Sequence, residues 1–543
     1  MDPGSPSTTK TAQWAVLTAG LLFFLLGIAL LPYPGLQNDE CLFAQPLYAT
    51  VGANFSVPLG GHERPLMLMT YLGTAKTLVY RPLLRRWRPS AWSIRLPGLI
   101  TATITIWMFG LLLYRLGGSF AAMSGSFLLA LDPSYVLTSV FDWGPVVLQH
   151  FLLVAGVLAF HGFQTRGSKA MLAMGAFLFG FAMWDKALFS WMLTGLGVAS
   201  LLFLAPEIRQ RVTWSNVALG FAAFVLGASP LIIYNVRNDV ETFRGNAKLT
   251  TAEIWAKTRT MPRTLDGSGL FGYLIREESD DSPRVPQTAV ERASTAVRNA
   301  VGQRRQGWLP AALLLTLSCL PLWWKKWKMM AFAFVTALVA WLLMASTRGA
   351  GGAVHHIVLM WPVPQFLVAI GLATAVGSRV RWWKWAVTVV VGMVCFQNVL
   401  VVNQYLYNAY RVGPGSSWTD AIFPLNDRLV RMKPERVNLM DWGTELNLIA
   451  LTRGTMNLRW GTEAGDHETP TANDWSMLDD ILKTADKSVF VRHVEPIEVT
   501  PGSEKRFAER ALTRGYQRQS VEIIPDRYGR KMFEIYRFVK VNP

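Results

Sequence analysis

The chain has 543 residues, of which 51% are hydrophobic and only 16% charged, and its mean hydropathy is +0.26. A soluble chain of this length carries about a quarter charged residues, so a soluble globular protein is excluded. The net charge of +17 does not call for nucleic acid, because loop Lys and Arg that fix topology account for it in a membrane chain.

The deficit of charge is concentrated in apolar runs of roughly 17 to 22 residues, each enough to cross about 30 Å of hydrocarbon. In chain order, spans are expected at 14–32, 96–114, 119–139, 144–163, 169–185, 187–205, 214–234, 308–324, 329–346, 356–376 and 383–402. The first run lacks an A-x-A-like cleavage site, so it is expected to be a retained helix rather than a signal peptide. Cys319 and Cys395 lie in apolar runs and Cys41 in a loop, so the cysteines form no disulfide framework.

Just past the first run stands Gly35-Leu-Gln-Asn-Asp-Glu-Cys41. Two adjacent carboxylates, Asp39 and Glu40, where a chain leaves a bilayer suggest a base acting at the water–lipid boundary. The bland alternative is a solvated or helix-capping pair.

Segment 66–80 is apolar but short for a span, and Thr70, Thr74 and Thr77 give it a polar stripe at helical spacing. We expect it to lie in the interface, so that residues 33–95 form one loop with interfacial helices. Arg81, Arg85, Arg86, Arg88 and Arg95 then sit on the outer side, against the usual bias, as an anion site or as a sign of misplaced topology.

The remaining connections alternate. Arg115, Arg166, Lys169, Arg209, Arg211, Lys325, Lys326, Lys328, Arg379, Arg381 and Lys384 fall in every second one. That bias puts them in the cytoplasm and places Asp142, Lys186, the long loop 235–307 and His355-His356 outside. Ionisable residues at the edges of apolar helices are expensive and usually functional. The outer set is Asp39-Glu40, His62-Glu-Arg-Pro65, Arg95, Asp142 and Lys186.

Residues 406–543 change character. Arg436-Val-Asn-Leu-Met-Asp441, Lys487-Ser-Val-Phe-Val-Arg492 and Lys531-Met-Phe-Glu-Ile-Tyr-Arg-Phe-Val539 read as strands, and 445–453, 475–484 and 504–514 as helices. A small extracytoplasmic α/β domain is expected there, after a transmembrane domain at 1–405.

The order of motifs resembles the dolichyl-phosphate-mannose protein mannosyltransferase and aminoarabinose (ArnT-like) transferase superfamily, the GT-C glycosyltransferases. Glu63-Arg-Pro65 is similar to that family's Glu-Lys-Pro-Pro turn and Arg95-Leu-Pro97 to its Arg-Leu-Pro-Ser. Asp142 is similar to its second acidic position, and Gly180-Phe-Ala-Met-Trp-Asp-Lys186 to its Gly-x-x-x-x-Thr-Lys. Pro230 after Gly227, and His355 before Pro362, fit its later spans. The resemblance covers roughly residues 14 to 405. Arg64 stands where the family has Lys, Asp185 where it has Thr, and Val140-Phe141 where an Arg often precedes the second Asp.

The resemblance implies a polytopic α-helical GT-C fold of about 11 spans in the plasma (bacterial inner) membrane. It also implies an inverting transfer of a sugar from a polyprenyl-phosphate donor to a hydroxyl of a glycan, lipid or protein. A carboxylate in reach of that hydroxyl would take its proton, and Asp39 is the candidate base, with Glu40 sharing or orienting. Arg64, Arg95 and Lys186 are candidates for the donor phosphate. Asp142 would hold one of these cations or bind the acceptor or sugar, and His62, Glu63, His355 and His356 are candidate substrate contacts. No cofactor is implied, with a divalent metal left open.

Blander readings stand beside these. Lys186 and Arg64 could snorkel to headgroups, Asp142 could cap the helix starting near Trp143, and Tyr33, Trp92 and Trp143 could be interface-belt aromatics. His355-His356 could ligate a metal, although adjacent residues point different ways on a helix. The rival functions are a transporter or flippase of lipid-linked substrates, expected to carry broken helices and internal symmetry, and a non-catalytic membrane scaffold.

Overall fold

The computed structural model describes residues 6–48, 53–277, 284–319, 323–376, 381–461, 469–499 and 502–541. Arg379, the acidic run 278–281 and positions 320–322 of the eighth apolar stretch lie outside the described residues.

Helix starts are set by side chains that satisfy first-turn N–H groups where the chain enters an apolar stretch. The Ser168 side chain accepts from Met171 N, and the Thr213 side chain from Asn216 N. Ser90 and Ser93 form a reciprocal cap for Ala91–Ala130. That helix is two: Gly118, at φ +81°, breaks it where the second and third expected spans were divided. A helix covers each of the eleven expected stretches, the eighth only in part, as Leu309–Ser318. Among the described residues, seven helices are long and apolar enough to cross a membrane, and the pair Ala187–Phe203 and Ala205–Arg211, bent by 93°, makes an eighth if its two pieces count as one span. Trp14, Leu21, Ile104, Phe221 and Leu342 face outward from the long helices. Apolar faces of that extent are covered by lipid, not water. The chain is an integral membrane protein.

The bundle has two chemically distinct ends. At one end the basic connections meet: Lys326 Nζ donates to Leu116 O at 3.2 Å, Arg211 Nη2 to Gln164 O at 3.2 Å and Lys169 Nζ to Ser215 Oγ at 3.1 Å. Asp39, Arg95, Asp142 and Lys186 are at the other.

Segment 66–80 is not the interfacial helix expected from its threonines. Strands β1 (Phe55–Leu59), β2 (His62–Met69) and β3 (Leu72–Gly73) form an antiparallel sheet, and a helix begins only at Ala75, running to Arg86. Gly60 and Gly61, at φ +63° and +73°, close β1 onto β2 with Leu59 opposite His62. Both positions need positive φ in such a two-residue turn, so the hairpin is encoded by Gly-Gly. His62-Glu-Arg-Pro65 therefore opens a strand. Trp184 Nε1 donates to Leu66 O at 2.9 Å and Leu72 bridges Lys186, so the segment stays at the Asp39 end and does not cross.

Beyond the last long helix, Arg381–Arg411, a second sheet has the order β5-β4-β6-β8-β7. Strands β4 (Arg436–Leu439), β5 (Leu458–Trp460) and β6 (Ser488–His493) run parallel, and β8 (Lys531–Lys540) and β7 (Tyr516–Pro525) continue it antiparallel. Helices Glu445–Thr452, Ala472–Leu482 and Ser503–Thr513 accompany it, close to the three expected. Among the expected elements β5 and β7 are absent; one is three residues long, and the other is a largely polar edge strand.

This domain is seated on the first loop. Gly35 N donates to Trp418 O at 2.7 Å, and a Cβ on Gly35 would lie 1.9 Å from Thr419 O. Only glycine permits that approach.

Candidate functional site

Asn38–Cys41 is a single helical turn. Gln37 caps it, accepting from Asp39 N at 2.6 Å, and Gln37 N donates back to Glu40 Oε2 at 3.0 Å. The reciprocal cap points the two carboxylates apart. Glu40 turns inward to Arg95, whose Nε and Nη2 donate to its two oxygens, each at 2.8 Å. Arg95 Nη1 donates to Leu31 O at 2.7 Å and Pro34 O at 2.9 Å, and Nη2 also to Gly35 O at 2.6 Å. A guanidinium has five N–H donors, and all five are used. Arg95, 2% exposed, thus has a protein partner for every donor. Glu40 is its counter-ion.

Asp39 is different. It makes no ion pair among the described residues, and burial pushes its carboxyl up to about 6 against hydrogen bonds from Asn38 and Gln37. Its charge reaches the hydroxyls of Tyr71 and Tyr273. Burial first, and Asp39 second, raise Tyr273 to about 12.

Asp142 does two things at once. Oδ1 accepts from Val146 N at 2.7 Å, at the start of the helix Val147–Arg166, and Oδ2 accepts from Lys76 Nζ at 2.5 Å. The helix begins at Val147 and not near Trp143, so Asp142 serves its first N–H groups from outside the capping position, and the cation it holds is Lys76 rather than Arg64, Arg95 or Lys186. Lys76 was lost inside a segment read as apolar; a lysine there is the signal that could have found it. Its ammonium also lies 4.5 Å from the Phe43 ring centroid.

Lys186 Nζ donates to Gly144 O at 2.5 Å, two residues beyond Asp142. Burial pulls its ammonium down to about 8, opposed by Asp142 and Asp185. No carboxylate lies within ion-pair distance of it among the described residues, so two of its three N–H donors remain to be matched. Asp185 accepts from Gln149 Nε2 at 2.7 Å.

Arg64, His62 and Glu63 are not drawn into this group. His62 and Glu63 are exposed at the hairpin end, and Arg64, half-buried and paired through its backbone with Val57, makes no side-chain hydrogen bond or ion pair among the described residues. His355 packs edge-on against Trp143, and His356 Nδ1 accepts from Gly351 N at 3.1 Å. Among the described residues, no three His, Cys, Asp or Glu side chains are grouped to hold a metal. Trp143 is not a belt residue: it stands edge-on to Trp418 and close to Tyr273, with ring centroids 5.3 and 5.8 Å away.

An apolar cavity of about 1120 Å³ lies among the helices, and none of the charged residues of this group lines it. Met192, Phe179 and Pro362 line it nearest the site, and Leu116, Gln164, Arg211 and Lys328 at the basic end. Of the helix that carries Arg95, only Phe109, Leu112 and Leu116 line it, about 10 Å at a rise of about 1.5 Å per residue.

No protein-family model matches the chain, and no curated protein sequence does. Solved structures do. The chain has the GT-C fold. It is similar to ArnT from Cupriavidus metallidurans bound to undecaprenyl phosphate, at 14% identity and a TM-score of 0.56 over 96% of this chain and 97% of that one. Arabinofuranosyltransferase AftD from Mycobacteria also matches, at 17% identity and a TM-score of 0.44 over 97% of this chain and 41% of that one.

Proposed function

We propose that the chain is an inverting membrane glycosyltransferase that moves a hexosyl or pentosyl group from a polyprenyl-phosphate donor to an acceptor hydroxyl. The observation that carries the reading is the pairing of opposites at one end of the bundle. Asp39, a partly buried carboxylate with no ion pair among the described residues, and Lys186, a buried ammonium with no carboxylate in ion-pair reach among them, share that end, and an apolar cavity lies among the same helices. The ArnT-like fold, and the undecaprenyl phosphate named with that structure, favour the same donor chemistry.

In this reading the isoprenoid chain lies in the cavity and the phosphate meets the free N–H groups of Lys186. Asp39 takes the acceptor proton as the acceptor oxygen bonds to the anomeric carbon. The bond from that carbon to the phosphate oxygen breaks on the opposite side, and Lys186 neutralises the charge left on phosphate. Lys76 and Asp142 hold the loop that carries Gly144, and so aim Lys186. Basic connections gathered at the far end support an extracytoplasmic site by the positive-inside bias, with the C-terminal domain on that same side.

The test is transfer of labelled sugar from a polyprenyl phosphate by purified protein in liposomes. Asp39→Asn should lower it by at least about a hundredfold, in line with general-base losses of about 10² to 10⁴, while donor binding persists. Transfer at the wild-type rate would remove Asp39 from the role.

A further inference from the structure

Four rings from four separate stretches of chain meet beside the loop that Lys186 holds. Trp143 precedes Gly144, whose carbonyl accepts from Lys186 Nζ at 2.5 Å. The Trp143 ring meets His355 and Trp418 edge-on, with centroids 5.5 and 5.3 Å away. Tyr273 completes the group, 5.8 Å from Trp143 and 6.2 Å from Trp418. The two tryptophans are 4% and 0% exposed, whereas Tyr273 is 41% exposed. Buried rings therefore back one ring that is open to a ligand.

The backbone fixes where that ring stands. Gly272, at φ +86°, donates to Ile275 O at 2.9 Å and closes the turn that carries Tyr273. Arg276 N donates to Gly413 O at 3.0 Å, and Gly415 N to Leu274 O at 3.2 Å. This lacing brings the strands of the loop so close that a Cβ on Gly415 would lie 2.1 Å from Tyr273 O. A belt tyrosine points from a helix into lipid headgroups. Tyr273 instead sits on a laced loop, against two tryptophans at the Lys186 end.

The face of an aromatic ring is the negative end of its quadrupole. It attracts the C–H groups of a sugar, and also the positive charge that grows at an anomeric carbon as its bond to phosphate breaks. In a polyprenyl-phosphate donor the sugar is joined directly to the phosphate. With that phosphate at Lys186, the sugar falls beside Trp143 and Gly144, where Tyr273 shows its ring.

Resting on the reading of Lys186 as the phosphate contact, we propose that Tyr273 is the platform on which the transferred sugar lies. The ring face binds the sugar, and the phenol hydroxyl is dispensable.

The test is binding of undecaprenyl phosphate, and of its mannosyl, galactosyl and arabinosyl esters, to purified protein in detergent. Wild type should bind at least one ester more tightly than the bare phosphate. Tyr273→Leu should weaken that ester about fivefold and lower kcat for its transfer about tenfold, as for a lost ring contact. It should leave the bare phosphate unaffected, and Tyr273→Phe should match wild type throughout. Equal weakening of ester and bare phosphate in folded Y273L would place Tyr273 at the phosphate or the tail and overturn the proposal. So would a loss in Y273F as large as in Y273L, since the hydroxyl would then be the contact. Lys186→Met, measured beside them, should weaken ester and bare phosphate alike. If it weakens neither while Y273L still discriminates, the phosphate assignment fails and the platform stands. A wild-type protein that binds no ester more tightly than the bare phosphate would refute both.

Discussion

The Arg95 guanidinium and the Glu40 carboxylate meet fork to fork inside the protein, with both contacts at 2.8 Å and neither group reaching solvent. Such a pair stabilises only while both members are present. Removing one leaves a buried charge and costs about 3–5 kcal/mol. Glu40→Gln and Arg95→Met should each lower the melting temperature in detergent sharply, whereas the joint replacement by apolar residues of similar volume should be milder. Asp39→Asn, at a carboxylate with no cation, should melt at or above the wild-type temperature. An Arg95→Met protein that melts normally but fails to bind donor would place Arg95 at the phosphate site.

The rate should follow a bell-shaped pH profile with limbs near 6 and near 8. Below about 6 the Asp39 carboxyl, raised by burial, is protonated and cannot accept the hydroxyl proton. Above about 8 the Lys186 ammonium, lowered by burial, loses the charge that the departing phosphate needs. The alkaline limb should shift up or vanish in Lys186→Arg, because a guanidinium stays protonated. A flat profile between 5 and 9 would contradict both assignments.

Lys186→Met removes a charge-assisted contact worth about 1.5–3 kcal/mol, or roughly ten- to a hundredfold in kcat/KM at about 1.4 kcal/mol per tenfold. Gly144→Ala should reproduce much of this without touching the lysine. A Cβ there would lie 2.3 Å from His355 Cδ2, so the loop must shift and take the Gly144 carbonyl from Lys186. Thermal melts of the two variants, run beside the kinetics, separate misaimed Lys186 from unfolding.

Gly197 lines the cavity, and a Cβ on it would meet nothing within 4 Å. Gly197→Phe should therefore fold and should narrow the cavity. In transfer assays its KM should rise at least tenfold for a long polyprenyl donor and change little for a donor with a two- or three-isoprene tail. Equal losses for both donors would place the tail elsewhere.

The apolar stretches were legible because twenty-residue runs without charge have few other uses, and the pattern held even where Gly118 divides one helix into two. Asp142 was legible because an acid before a long apolar run is both conspicuous and costly. The enclosure of Arg95 was not legible, because nothing local shows that the carbonyls of Leu31, Pro34 and Gly35 close around it. The same blindness hid Lys76: its partner Asp142 is 66 positions away. The hairpin at Gly60-Gly61 was written in the sequence, but regularly spaced threonines drew the eye to a helical period. Asn38 carried no signal at all, since the Leu446 N–H that its Oδ1 accepts from, at 3.1 Å, belongs to the C-terminal domain.

That partner has a consequence for biosynthesis. Asn38 leaves the ribosome 408 residues ahead of Leu446, an interval of about 20 to 80 s at roughly 5–20 residues per second. For all that time the turn bearing Asp39 lacks the helix that seats it. A nascent or truncated chain inserted in the bilayer would hold its lipid cavity before its reactive loop was set, so only finished chains would attack a passing sugar.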